Sequence, residues 1–323
     1  MKHFRSTVIA LAAVLAPAAH AQPTVEEIQN ATYAGGPLPE GQSAIAAVVQ
    51  VLLDQSGISP GVIDGWRGPM SRSAIRAFEA REGLQEDGQM DQAVWAALGG
   101  PERPAVLQEY RIAKADTAGL SAPLPDDYAE LAELERLGFT RVTERLAEQF
   151  HMDEGFLREL NPAAGFTAGE VITVAAPGDR LDAPAHRVEV RKDVGRVAVF
   201  NEAGDMIANY PATVGSDQLP SPSGEHEVVA VAIDPTYTYR PDKNFQQGDN
   251  DERLTLPPGP NGPVGSVWID LSKPTYGIHG TADPDALFQS VSHGCVRLTN
   301  WDAGELAHMV DPEVPVVFVE GRS

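Results

Sequence analysis

The apolar residues of this 323-residue chain change period along its length, which fixes the kinds of unit it can build. From Gln42 they recur at helical spacing, with Ala44, Ile45, Val48, Val49, Leu52 and Leu53 on one face up to Gly57. A Gly- and Pro-rich turn, Ile63 to Pro69, leads to a second helix carrying Ala74, Ile75, Ala77 and Phe78, with Ser71 available to cap it. Gly83 and Asp87-Gly88 break the chain again, and Asp91 caps a third helix with Val94, Trp95 and Leu98. From His186 the period falls to two. Residues 186–190 and 196–200 alternate, and Glu202 to Asp205 supply a hairpin turn. Further strands are expected at Ile207–Tyr210, Glu227–Ile233, Ser266–Leu271 and Pro315–Val319, with one helix at Trp301–Val310 and Asn300 as its cap. The chain is therefore multidomain: a small three-helix domain at 42–99 and a mostly-β domain at 186–320.

The stretches between are less periodic. Residues 22–41 are expected to be a tether and residues 100–138 a Pro-rich linker, with Leu131, Leu134 and Leu137 suggesting a short helix. Residues 139–177 give two short helices and a strand at Val171–Val174. A long loop, 234–264, is positioned to act as a lid and contains Tyr237 and Tyr239.

The first residues, Met1-Lys2-His3-Phe4-Arg5, are basic, an apolar run follows from Val8 to Ala16, and Ala19-His20-Ala21 completes the order of a cleaved export signal over 1–21. That run falls well short of the ~20 apolar residues a membrane span needs, and no later segment reaches that length. The expected location is the periplasm or cell wall. Lys and Arg number 24 against 46 Asp and Glu, a net charge of −22 that repels nucleic acid, whose binding rests on neutralising phosphates. The single cysteine, Cys295, excludes an internal disulfide, and a lone thiol in an oxidising compartment is either buried or used.

Its neighbourhood favours use. Tyr276-Gly277-Ile278-His279-Gly280-Thr281 is followed by Val291-Ser292-His293-Gly294-Cys295-Val296-Arg297-Leu298. A thiol needs a base to become a good nucleophile, and backbone N–H groups can hold the oxyanion that its attack creates. Gly294 would let a carbonyl approach the backbone closely, with the Cys295 N–H as donor. Arg297, two residues on, shares the face of Cys295 in an extended chain and can grip a carboxylate with two parallel hydrogen bonds. These types suit acyl transfer. Zinc held by His279, His293 and Cys295 is a competing reading without a fourth ligand or CxxC spacing. Ser292 as nucleophile lacks a G-x-S-x-G elbow, and a buried structural cysteine leaves the glycine bracketing unexplained.

The segment His279-Gly280 followed by Ser292-His293-Gly294-Cys295-Val296-Arg297-Leu298, together with Pro220-Ser221-Pro222-Ser223-Gly224, resembles the L,D-transpeptidase catalytic domain, the YkuD family, over residues 186–320. The resemblance implies a β-sandwich-like fold with Cys295 as nucleophile and His279 as general base. It also implies that the Gly280 carbonyl orients His279 and that His293 shapes the site or the oxyanion. Arg297 would meet a stem-peptide carboxylate, Ser292 would fix the loop, and either Tyr237 or Tyr239 would assist the oxyanion. The implied reaction acylates Cys295 with a peptidoglycan tetrapeptide stem and transfers the acyl group to an amine, giving 3→3 cross-links without a cofactor. Water or an envelope protein as acceptor would instead make it a carboxypeptidase, an endopeptidase or a protein anchor. A non-catalytic wall-binding protein is the alternative of another class.

Residues 42–99, through Ile63-Asp64-Gly65, Gly68-Pro69, Ser73-Ala74-Ile75, Ala77-Phe78 and Leu84-Asp87-Gly88, resemble the peptidoglycan-binding type 1 domain. Residues 139–177, through Glu144, Leu146-Ala147, Leu157, Leu160-Asn161-Pro162 and Gly169 to Ile172, are similar to a LysM module, a βααβ sugar-binding fold, with Gly138-Phe139-Thr140 standing for its first strand. Peptidoglycan glycan and stems are the implied partners. Removal of residues 22–180 is expected to weaken mainly the binding of intact wall.

Overall fold

The computed structural model describes residues 22–215, 221–243, 245–288 and 294–320, so the expected export segment lies outside it. Among the described residues no helix is long and apolar enough to cross a membrane.

A capping box between Thr24 and Glu27 starts α1 (Val25–Asn30), whose Ile28 is fully buried against α2 (Ala44–Gln55). Residues 22–41, expected as a tether, thus contribute to the core. Ser43 caps α2, and every residue from Ala46 to Leu53 is buried. The second helix, α3 (Pro69–Glu82), starts at a proline with Gly68 as its cap, so Ser71 does not cap it. Proline at the first helical position lacks only an N–H that would have no partner. The Ser71 hydroxyl instead donates to the Trp66 carbonyl at 3.0 Å. Asp91 caps α4 (Gln92–Ala97) through the N–H groups of Ala93 and Val94.

Next come β1 (Leu107–Arg111), α5 (Tyr128–Ala132), α6 (Val142–Gln149), α7 (Glu154–Leu160) and β2 (Val171–Ala175). β1 and β2 pair antiparallel from Leu107↔Ala175 to Arg111↔Val171. The partner of β2 therefore comes from the expected linker, and Gly138-Phe139-Thr140 is not a strand. β1 reads Leu-Gln-Glu-Tyr-Arg and buries only Leu107 fully, so it carries no apolar alternation to reveal it. Residues 112–141, with α5, form an insertion between β1 and the helices that follow. This α+β unit shares one core with the three helices. Ile63 bridges them, donating to the His151 carbonyl at 2.7 Å and accepting from Asp153 N–H at 3.1 Å.

The C-terminal part comprises β3 (Arg187–Arg191), β4 (Arg196–Phe200), β5 (Met206–Pro211), β6 (Thr213–Val214), β7 (Gly224–Ile233), β8 (Tyr237–Tyr239), β9 (Leu254–Leu256), β10 (Val267–Leu271), β11 (Gly277–His279), β12 (Val296–Arg297), α8 (Asn300–Met309) and β13 (Pro315–Val319). Nine of these strands form one sheet in the order β5-β4-β3-β13-β7-β10-β11-β12-β6. β7 pairs with β13 through residues 224–227 and with β10 through residues 228–233, so the sheet turns a corner along this strand. Its edge strands, β5 and β6, are separated by Ala212 alone, which forces the sheet to curl until its edges nearly meet. The sandwich-like domain is thus a nearly closed single sheet. Its core holds Val188, Val190, Val197, Val199, Ile269, Ile278, Val296 and Leu306 of α8. Thr299, rather than Asn300, caps α8 by accepting from Asp302 N–H, which leaves the Asn300 side chain for other partners.

The two halves are joined along the β5 edge. Ser59 N–H donates to Asn209 O and Asn209 N–H to Gly57 O, both at 2.9 Å, so the loop after α2 covers an edge that would otherwise be open. Arg196, 2% exposed, donates to the Ser59 carbonyl at 2.8 Å, and the Ser59 hydroxyl donates to Asp302 at 3.0 Å. His151 of the N-terminal half stacks on Trp301 of α8.

Candidate active site

The candidate residues collect on β11 and β12, which run parallel with Ile278 opposite Val296 and His279 opposite Arg297. Because side chains alternate along strands, this register splits the four residues by face. Ile278 and Val296 enter the core. His279 and Arg297 share the other face, with Cys295 two residues before Arg297. Leu298 N–H donates to the His279 carbonyl at 2.8 Å and locks the end of the pair.

His279 is 6% exposed. One ring nitrogen, Nδ1, lies 2.7 Å from the Gly280 carbonyl, and a carbonyl only accepts, so Nδ1 carries the proton and Nε2 is the basic nitrogen. Trp268, the cross-strand neighbour on β10, stacks on the ring at 5.6 Å. Burial pushes the His279 pKa down to about 4, with the Arg297 charge adding to that and the Gly280 bond opposing it. The imidazole is neutral at physiological pH.

Cys295 is half-buried and reduced. Its Sγ lies 3.8 Å from the Thr275 carbonyl. Burial pushes its thiol up, while a backbone hydrogen bond from Gly277 and the charge of Arg297 act the other way. Gly294, immediately before it, sits at φ 107°, a conformation that glycine alone adopts readily. The Ser221 hydroxyl donates to the Gly294 carbonyl at 2.7 Å and ties the cysteine loop to the segment before β7.

Arg297 is half-buried, and burial lowers its pKa against the opposing pull of Asp283, Cys295 and Tyr128. It pairs across to Thr213 on β6, near the closing edge of the sheet.

The two candidate tyrosines separate. Tyr237 is half-buried and close enough to Cys295 to feel its charge, and burial first, then Tyr128, Cys295 and Tyr239, pushes its phenol up. Tyr239 is fully buried in the lid, its hydroxyl accepting from Gln247 N–H at 3.0 Å, and it packs with Leu131, Leu137 and Leu256. Its place is the interior of the lid rather than the thiol. His293 and Ser292 lie outside the described residues.

Sequence reasoning missed two features. Asn300 was legible only as a cap. In the structure its Oδ1 accepts from Ser266 N–H at 3.0 Å, and its Nδ2 donates to Glu148 Oε2 at 3.0 Å and the Pro260 carbonyl at 3.1 Å. Tyr128 lay in a Pro-rich stretch without periodicity, so no local signal pointed to it.

Residues 185–318 match the YkuD family, described as the L,D-transpeptidase catalytic domain, and residues 43–98 match the "Putative peptidoglycan binding domain". The chain is 32% identical over 171 residues to "Putative L,D-transpeptidase YkuD" of Bacillus licheniformis, covering 52% of this chain and 87% of that one. Its counterpart in Bacillus subtilis is 30% identical over 168 residues, 51% of this chain and 85% of that one. Among solved structures, L,D-transpeptidase 3 from Mycobacterium tuberculosis shares 18% identity over 47% of this chain and 76% of that chain, with a TM-score of 0.35, too low to add to the case. On the strength of the catalytic-domain match and of relatives covered over most of their length, the chain belongs to the L,D-transpeptidase family.

Proposed function

We propose that the protein is an exported, cysteine-dependent L,D-transpeptidase that acts on peptidoglycan stem peptides. The observation that carries this reading is the β11–β12 register, with His279 beside Arg297 and Cys295 on the same face, and with His279 Nδ1 held by the Gly280 carbonyl.

In the first half-reaction the Cys295 sulfur attacks the carbonyl of the third, diamino-acid residue of a tetrapeptide stem, and its proton passes to His279 Nε2. The Cys295 N–H, which follows Gly294 at φ 107°, holds the oxyanion, and the Tyr237 phenol, close enough to Cys295 to feel its charge, assists as a side-chain donor. When the tetrahedral species collapses, the C–N bond breaks, His279 returns the proton to the leaving amine, and D-alanine departs. An imidazolium whose pKa is depressed is a strong acid for that step. In the second half-reaction an amine of another stem attacks the thioester carbonyl, gives its proton to His279, and releases Cys295 as thiol. The product is a 3→3 cross-link. Arg297 holds a stem carboxylate.

The three-helix domain at 42–99 would hold the enzyme on polymeric wall, raising the local concentration of stems. Incubation with a disaccharide-tetrapeptide, with and without an added amine, tests the acceptor. A cross-linked dimer with loss of D-alanine supports the proposal. Free tripeptide as the only product, with amine present, would make the enzyme a hydrolase.

A further inference from the structure

The insertion 112–141 belongs to the N-terminal half, yet it is stitched to the 234–264 segment, the expected lid that carries Tyr237. Leu137 N–H donates to the Pro258 carbonyl at 2.9 Å, and Asn261 N–H donates back to the Leu137 carbonyl at 3.0 Å. Arg136 pairs with Asp234 at 2.6 Å, where the lid begins. Gln247 of the lid donates to the Asp126 carbonyl at 2.9 Å and accepts from Tyr128 N–H at 3.1 Å, and Asn250 reaches Asp127 at 3.3 Å. Both ends and the middle of the lid are therefore fixed to a segment outside the catalytic domain.

At the centre of this seam stands Tyr128, the first residue of α5. Its ring meets Tyr237, Tyr239 and Phe245 edge-on, with centroids 6.3, 5.3 and 6.0 Å away. Its phenol feels the Arg297 guanidinium, Arg297 in turn feels Tyr128 and Cys295, and Tyr237 feels both Tyr128 and Cys295. The ring contact with Tyr237 and these mutual charge effects put Tyr128 in the neighbourhood of Arg297 and Cys295. The charge of Arg297 draws an anion, and a neutral phenol within the field of that guanidinium is a hydrogen-bond donor for it.

We infer that Tyr128, supplied by the insertion and not by the catalytic domain, is a substrate-binding residue whose hydroxyl acts with Arg297 on the terminal carboxylate of the acyl-donor stem. This rests on the stem-peptide reading above and names a specificity determinant for it. The residues that bind the stem would thus come from two parts of the chain, one of which carries no catalytic group.

The test uses the full chain in a Cys295→Ala background, so that binding is read without turnover. Titration with a disaccharide-tetrapeptide and with its C-terminal carboxamide gives two dissociation constants for Tyr128 and for Tyr128→Phe, which keeps the ring and its packing. The expected result is about tenfold weaker binding of the carboxylate form by Tyr128→Phe, the loss of roughly one charge-assisted hydrogen bond, with little change for the carboxamide. Equal affinities of the two proteins for both ligands would overturn the inference. So would an equal loss for both ligands, which would mean that the hydroxyl supports the local fold and does not touch the carboxylate. Because binding is read apart from chemistry, a wild-type protein that binds stems but forms no thioester would sink the transpeptidase reading and leave the role of Tyr128 standing.

Discussion

The side chain of Asn300 closes over Gly280: a Cβ built at Gly280 would lie 2.1 Å from Asn300 Oδ1. That oxygen is held by Ser266 N–H, and the Asn300 amide nitrogen is held by Glu148 and the Pro260 carbonyl, so the asparagine has nowhere to retreat. The Gly280 carbonyl is the group that holds His279 Nδ1. The orientation of the imidazole is thus set by backbone that only glycine can supply, pressed between α8 and β11.

Gly280→Ala is therefore expected to move the carbonyl and misorient the imidazole. Turnover should fall by about 100-fold, the lower range for loss of a positioned general base, while binding of the stem, measured by titration, changes little. Turnover within threefold of wild type would mean that His279 does not depend on this carbonyl.

The pH dependence of kcat/KM follows from the neutral imidazole. His279 must be unprotonated to accept the thiol proton, and its pKa is pushed down to about 4. Activity should hold steady from pH 8 down to pH 5 and fall only near pH 4. An acid limb near the ordinary histidine value, about 6.5, would show that burial does not depress the imidazole.

Stability should fall with rising pH over this range. Burial raises the pKa of Glu148 to about 7 against the opposing bond from Asn300, and burial raises that of Asp302 to about 7. His151 is pulled down by burial, but Asp54, Asp302 and Glu305 outweigh it and the net direction is up. All three groups bind protons more tightly when folded, so the stability they give is full below their unfolded pKa values and is lost as pH rises through the folded ones. The melting temperature should drop by several degrees between pH 5.5 and 8, and Glu148→Gln should flatten the slope. A melting temperature that rises with pH across that interval would contradict these assignments.

Deleting residues 22–180 tests how far the N-terminal half acts as a mere anchor. The sequence alone suggested that small soluble stems would still turn over. The structure argues otherwise, because deletion opens the β5 edge that Gly57 and Ser59 cover and removes Tyr128 and the supports of the lid. Turnover of a soluble tetrapeptide should fall at least tenfold and the melting temperature should drop. Unchanged turnover by a stable fragment would restore the anchor-only account.

Much of this was legible from residues. Strands such as 187–191 and 315–319 announce themselves by alternation, because one face of each is buried, whereas 196–200 is buried on both faces. The α2 pattern fails only in underestimating its burial, since neighbours on several sides cover it. The proximity of His279, Cys295 and Arg297 was implicit in their glycine-bracketed spacing. What the sequence hid was long-range. β1 is a polar strand whose partners lie 60 to 68 residues on, recognisable only when β2 is beside it. Tyr128 gains its place from contacts to a lid more than a hundred residues away. The Pro-rich run around it reads as linker because local sequence carries no record of what such a segment packs against.

The central claim is that Cys295 carries the acyl group. Intact-mass and peptide-mapping spectrometry of the protein quenched during turnover of a disaccharide-tetrapeptide tests it directly. The account predicts a thioester that maps to Cys295, absent from Cys295→Ala and discharged when an amine acceptor is added. Turnover by Cys295→Ala, or an acyl adduct on any other residue, would contradict it.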